Sequence, residues 1–116
     1  MIDLSGHHKR LTIVVGESDT VDGEPLATAI VHRAHAAGMA GVTVLRGIEG
    51  YGASNHIHTT RVLSLSSDLP IMILIVDTEE SITSFLSDIE PLVDEGLITV
   101  EDVHVARYVG REGDRG

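Results

Sequence analysis

An α+β domain made of two strand-helix-strand units is predicted by three features of this 116-residue sequence. Apolar, β-branched runs alternate with segments of helical spacing, in the order strand-helix-strand and then strand-helix-strand again. Each half ends alike, with a glycine after the helix and a strand carrying Thr-Val: Gly41-Val-Thr-Val44 and Gly96-Leu-Ile-Thr-Val100. The composition is 42% hydrophobic with one Phe, two Tyr and no Trp, so the core is built from Ile, Val, Leu and Ala, which suits strands packed against short helices. Two such units give the split repeat βαββαβ of the ferredoxin-like arrangement, a four-stranded antiparallel sheet with two helices on one face. The length holds one core, so residues 1–116 are read as one domain with flexible tails over 1–9 and 110–116.

Leu11-Thr-Ile-Val-Val15 is the first strand, ending at Gly16-Glu17 and followed by a polar turn over Ser18–Gly23. Pro25 suits a first helical turn, with Asp22 and Glu24 near its positive end, and Leu26, Ala27, Ile30, Val31, Ala34 and Ala37 recur at helical spacing until Gly38. Gly41–Leu45 returns to strand chemistry and runs through Arg46-Gly47-Ile48-Glu49 to the glycines at 50 and 52. Residues 51–69 are rich in Ser, Thr, Asn, His and Gly, and a connection of that length in a compact domain points to function.

Pro70 opens Ile71-Met-Ile-Leu-Ile-Val76, a continuous apolar run that reads as an interior strand. Asp77 or Thr78 caps the second helix, with Glu80 placed to complete a box with Asp77. Ile82, Phe85, Leu86, Ile89 and Leu92 form its buried stripe, Pro91 kinks or shortens it and Gly96 stops it. Leu97–Val100 and Val103–Arg107 form the last strand, interrupted at Glu101-Asp102 by a bulge or turn. The strands are apolar at nearly every position, so the face without helices is expected to be greasy and to be sealed by self-association.

Composition excludes several function classes. Without cysteine there are no disulfides and no thiolate metal sites. No apolar run approaches the ~18 residues of a membrane span, and the polar start of the chain lacks the core of a signal peptide, so a cytoplasmic protein with no direct membrane insertion is expected. A formal charge of −10 opposes binding to nucleic acid. The charge is uneven, however. Between Glu49 and Asp68 no acidic residue occurs, while His56, His58 and Arg61 do, so an anion is repelled least there.

Candidate site residues follow from this unevenness. Gly50 and Gly52 permit close backbone approach to a ligand, or simply make a turn. Arg46, Arg61 and Arg107 can grip phosphate or carboxylate, or form salt bridges. Glu17 can bond a ribose or an adenine amine, or pair with Lys9 or Arg46. His56 and His58, two apart, face one side of an extended segment and suit a divalent metal, or else a solvated loop or subunit contact. His7 and His8 read as exposed tail residues. No catalytic residue is assigned, since no Walker loop, nucleophile elbow or zinc-protease motif is present.

Over roughly positions 9 to 107 the sequence resembles the PII-like proteins catalogued as domain of unknown function 190. The resemblance rests on Gly16-Glu17, Gly23-Glu-Pro-Leu26, Arg33-Ala34, Gly38, Gly41–Ile48, Gly50-Tyr-Gly52, Ile57-His-Thr59, Leu65-Ser66, Asp68-Leu-Pro70, Ile75-Val-Asp77, Phe85-Leu86 and Gly96-Leu97. It implies a ferredoxin-like fold and a PII-type homotrimer. The wider class holds nucleotides in clefts between subunits and touches a target with a long loop between strands two and three, the position here of Gly50-Tyr51-Gly52 and the acid-free stretch. That class also carries a Gly- and Lys-rich phosphate loop between helix two and strand four, where this sequence has Pro91-Leu-Val-Asp-Glu-Gly-Leu97, and a modifiable loop tyrosine, whereas Tyr51 stands at the loop's base.

The reading is therefore a regulatory binding protein and not an enzyme. A small anionic ligand, such as an adenine nucleotide, binds near Glu17, Arg46, Gly47, Gly50, Tyr51, Gly52, Arg61 and Arg107. A partner protein meets the loop 51–68 through Ser54, Asn55, His56 and His58. The alternatives are a divalent-metal-binding trimer using His56 and His58, and a ligand-free structural adaptor for a membrane transporter.

Overall fold

A computed structural model describes residues 5–52, the main chain of 58–59, and residues 68–110. In chain order the elements are β1 (Gly6–Gly16), β2 (Thr20–Val21), β3 (Glu24–Pro25), α1 (Leu26–Ala36), β4 (Thr43–Arg46), β5 (Glu49–Gly50), β6 (His58–Thr59), β7 (Pro70–Asp77), α2 (Glu79–Ile89), a 3-10 turn over Glu90–Leu92, and β8 (Leu97–Val105). The main sheet has the order β4-β7-β1-β8 with every neighbour antiparallel, which is the ferredoxin-like order expected of two split units. Among the described residues no helix is long and apolar enough to cross a membrane.

Alternation along the strands decides which face is core. Leu11, Ile13 and Val15 of β1 and Ile71, Ile73 and Ile75 of β7 point to one side, where they pack with Leu26, Ile30 and Ala34 of α1 and Ile82, Phe85 and Ile89 of α2. Full burial of each of the larger of these side chains contributes about 1.5–3 kcal/mol. The two helices share that face because each carries one apolar stripe. Helix α1 ends in a Schellman turn: Gly38 adopts φ +72°, its N–H donates to His35 O at 3.1 Å and the N–H of Met39 donates to Ala34 O at 3.1 Å.

Several expectations are corrected. Strand β1 starts at Gly6, so residues 6–9 belong to the sheet and not to a flexible tail, and His7 and His8 are strand residues. Strand β8 runs unbroken through Glu101-Asp102, in one register with β1 from Leu97 to Val105. Both corrections have one cause. Lys9 pairs with Asp102, and Arg10 Nε donates to Glu101 Oε1 at 2.9 Å, so charges that read as loop residues in sequence match each other across the ladder.

The polar turn after β1 contains a small hairpin, β2 and β3, reversed by Asp22 (φ 50°) and Gly23 (φ 81°), the Asp-Gly pair favoured where both turn residues need positive φ. Glu24 and Pro25 thus lie in β3, and α1 begins at Leu26 without an acidic first turn. Strand two stops at Arg46 instead of continuing to Glu49, since Gly47 N–H turns to donate to Pro70 O at 2.7 Å. Helix α2 ends at Ile89, shortened ahead of Pro91, so its stop is not Gly96.

Thr78, not Asp77, caps α2: its Oγ1 accepts from Ser81 N–H at 3.1 Å. Asp77 is buried and holds the far side of the fold together. Its Oδ2 accepts from Ala40 N–H at 2.8 Å and its Oδ1 from Thr78 N–H at 2.7 Å, while Tyr108 donates its hydroxyl to Ala40 O at 2.6 Å.

The open face is less greasy than the sequence implies. Across all four strands, Leu45, Met72, Val14 and Leu97 form one apolar row, but the next row is Thr43, Leu74, Thr12 and Thr99, and the next brings Arg10 beside Glu101. The apolar surface is thus concentrated at the end of the sheet where β1 finishes.

Candidate functional site

At that end the turn after β1 is tied to itself and to the residues just before β7. Glu17 N–H donates to Leu69 O at 2.8 Å, Ser18 N–H to Asp68 Oδ1 at 2.7 Å, and Gly16 N–H to Asp19 Oδ2 at 2.8 Å. Glycines make the approach possible. A Cβ on Gly16 would lie 2.6 Å from Asp68 Oδ2, and one on Gly47 would lie 2.6 Å from Pro70 Cγ. A Cβ on Gly96, at the start of β8, would meet Val14 O at 2.6 Å.

The result is a cleft of about 410 Å³, within the range of small-molecule sites. Its floor is the sheet end, with Val14, Val15, Pro70 and Leu97, and its rim carries Gly50, Tyr51 and Gly52, at the root of the 51–68 segment. The root is closed by the short ladder of β5 and β6, in which Gly50 faces His58 and Glu49 faces Thr59. Tyr51 stands largely in solvent at the mouth.

The charge of the cleft differs from what the acid-free stretch implies. Asp19, Asp68 and Glu95 line it, and among the described residues no Lys, Arg or His does. Asp19 and Asp68 each accept a main-chain N–H, which offsets part of their charge but leaves a carboxylate-lined wall.

The sequence-predicted residues separate into groups. Gly50, Tyr51 and Gly52 line the cleft. Glu17 and Arg46 stand outside its lining and form an exposed two-point ion pair with each other, Arg46 Nη2 reaching Glu17 Oε1 at 3.2 Å and Nε bonding Oε2. Gly47 packs on Pro70. Arg107 follows the end of β8, which pairs with the start of β1; at about 3.3 Å per residue it lies roughly 30 Å from the cleft within one chain. Ser54, Asn55, His56 and Arg61 lie outside the described residues, and of His58 only the main chain is described. Among the described residues no group of three or more His, Asp or Glu is gathered to hold a metal ion.

Asp19, Glu95 and the start of β8 were not foreseen as part of a site. A signal for some of it was present: Gly16, Asp68-Leu-Pro70 and Gly96-Leu97 carry the family resemblance although nothing in their local sequence explains why, and the fold brings them together around one space.

Comparison with known proteins shows the family and the fold. The model of the family described as DUF190, Uncharacterized ACR, matches residues 8–105. A UPF0166 protein of Aquifex aeolicus is 39% identical over 97 residues, covering 84% of this chain and 91% of the relative. A UPF0166 protein of Methanocaldococcus jannaschii is 36% identical over 98 residues, covering 84% and 90%. Among solved structures, CPII of Thiomonas intermedia K12, a nitrogen regulatory PII-like protein bound to ADP, AMP and bicarbonate, superposes with a TM-score of 0.63 at 24% identity, covering 87% of this chain and 90% of that one. A second structure of CPII, bound to ADP and bicarbonate, gives 0.59 at 25% identity, covering 87% and 90%. The likeness to these structures is one of fold.

Proposed function

This chain belongs to the DUF190 family, and on that premise we propose that it is a PII-like regulatory protein that binds a small anionic ligand, an adenine nucleotide, in the cleft at the root of the 51–68 segment. The observation that carries this reading is the cleft itself: a ligand-sized space built from glycines and rimmed by Tyr51, on the fold of a protein solved with ADP and AMP. Ligand binding there biases the contact of the 51–68 segment with a partner protein.

The acidic wall divides the ligand into two ends. Ribose hydroxyls and an adenine amino group donate hydrogen bonds and suit Asp19, Asp68 and Glu95. Phosphates do not, and they require guanidinium groups from elsewhere. Arg46 is committed to Glu17, so the cations come from Arg61 or from the Arg107 of a neighbouring copy. The active assembly is accordingly a homotrimer in the cytoplasm, closed over the apolar row Leu45, Met72, Val14 and Leu97, in which one chain's cleft is completed by the next. The protein binds and signals without turnover; no catalytic residue is assigned.

Calorimetry of the full chain against ATP, ADP, AMP, cyclic nucleotides and bicarbonate tests this. Binding of an adenine nucleotide that weakens on Tyr51→Ala and slows hydrogen exchange over 51–68 is the expected result. Silence toward all of them, with unchanged exchange, would overturn it.

A further inference from the structure

Away from the cleft, at the other end of the sheet, the first residues of β1 meet the last of β8. There His7 and His104 are direct cross-strand partners. Their ring centroids lie 5.3 Å apart with the planes at 60°. Both residues are exposed, so solvent reaches the space between them. Two imidazoles bound to one tetrahedral ion at metal–nitrogen distances of about 2.0–2.1 Å have ring centres about 5 Å apart, the separation already present here.

We propose that His7 and His104 form a two-histidine chelate for a divalent transition metal ion, Zn²⁺, with water in the remaining positions. Imidazole is a preferred ligand of this class of ion, and the paired strands hold the two rings edge to face at a chelating separation, so that binding needs only rotation of the rings about their side-chain bonds. The surroundings favour a cation. On the same face of the sheet, two residues inward, Lys9 is engaged by Asp102 and stands 3.8 Å from Glu79, so its charge is balanced. The net charge of −10 acts in the same sense. No third His, Asp or Glu joins the pair among the described residues, so the site is open and exchangeable in character, unlike a closed structural zinc site. It is distinct from the loop histidines, His56 and His58, and independent of nucleotide binding.

Titration of the full chain with zinc chloride, followed by calorimetry, is the test. Loss of even an outer-shell partner costs about 10–100-fold in metal affinity, so His7→Gln and His104→Gln are each expected to weaken binding by at least about tenfold. The variant His56→Gln/His58→Gln should bind as the native chain does. Because proton and metal compete for the imidazole nitrogen, affinity should also fall as the pH is lowered. A second readout does not depend on the variants: trace Cu²⁺ should broaden the ring proton resonances of His7 and His104 ahead of all others. Zinc affinity unchanged in both single variants, lost in the loop double variant, or absent from the native chain would overturn the proposal, as would Cu²⁺ broadening that spares these two rings.

Discussion

Ile73 and Met72 are neighbours in β7, yet Ile73 is fully buried under the helices and Met72, on the opposite face, is 38% exposed. The same contrast holds along the sheet. The helix-covered face holds Leu11, Ile13 and Ile75 at zero exposure, whereas on the open face Leu45 and Leu97 are 50% and 57% exposed. Composition does not separate the two faces at their cleft end, since both are aliphatic there. What differs is that one face finds its cover within the chain and the other does not. An apolar row beside a ligand-sized cleft teaches that the site and the means of closing it share one edge of the sheet.

The contrast predicts its largest effect in the core. Ile73→Ala should lower unfolding stability by about 2–5 kcal/mol in denaturant titration, and Met72→Ala by clearly less when measured at a dilution that keeps the chain monomeric. Equal losses for the two would mean that the open face is as well packed as the covered one. Next in size, Leu45→Asp should remove most of the ~1.5–3 kcal/mol that burial of one leucine brings to an interface, and so shift sedimentation of the proposed trimer toward monomer. A variant that sediments like the native chain would remove the apolar row from the assembly.

Gly47→Ala sharpens the comparison at the cleft, where close approach matters more than burial. Its new Cβ meets the Pro70 ring, and an overpacked contact of this kind costs about 1–3 kcal/mol. Thermal unfolding reads the loss, and a neutral result would mean that the Pro70 ring can move aside.

The smallest effect belongs to the ion pair at the opposite end. Lys9 is held above its usual lysine value chiefly by its hydrogen bond to Asp102, and the same bond holds Asp102 below the usual carboxylate range. A carboxyl depressed on folding adds stability above its unfolded pKa and loses it as pH falls through the folded value; a raised amine adds stability below its unfolded pKa and loses it as pH rises through the folded one. The pair therefore acts between the unfolded values of 3.8 and 10.5 and fades on either side. Solvent screens it, so Asp102→Asn should lower the melting temperature only slightly at neutral pH and not at all in strong acid. An equal loss at both would assign the effect to packing.

The residues themselves determined the order of elements, the two helical stripes and the interior character of β7, because periodicity and glycine punctuation act over a few neighbours. Acidic and basic residues of β1 and β8 looked like loop or tail for the same reason: their partners stand about ninety positions away, Lys9 with Asp102 and Arg10 with Glu101. The glycines at 50 and 52 marked the cleft's rim in advance, while Asp19, Asp68 and Glu95 gave no local sign of facing one space. Only the tertiary structure decided strand register, and register chose which charges meet, which rings touch and which carboxylates line the cleft. A pattern of period two says that a side chain alternates between faces; which residue stands opposite depends on where distant strands come to rest.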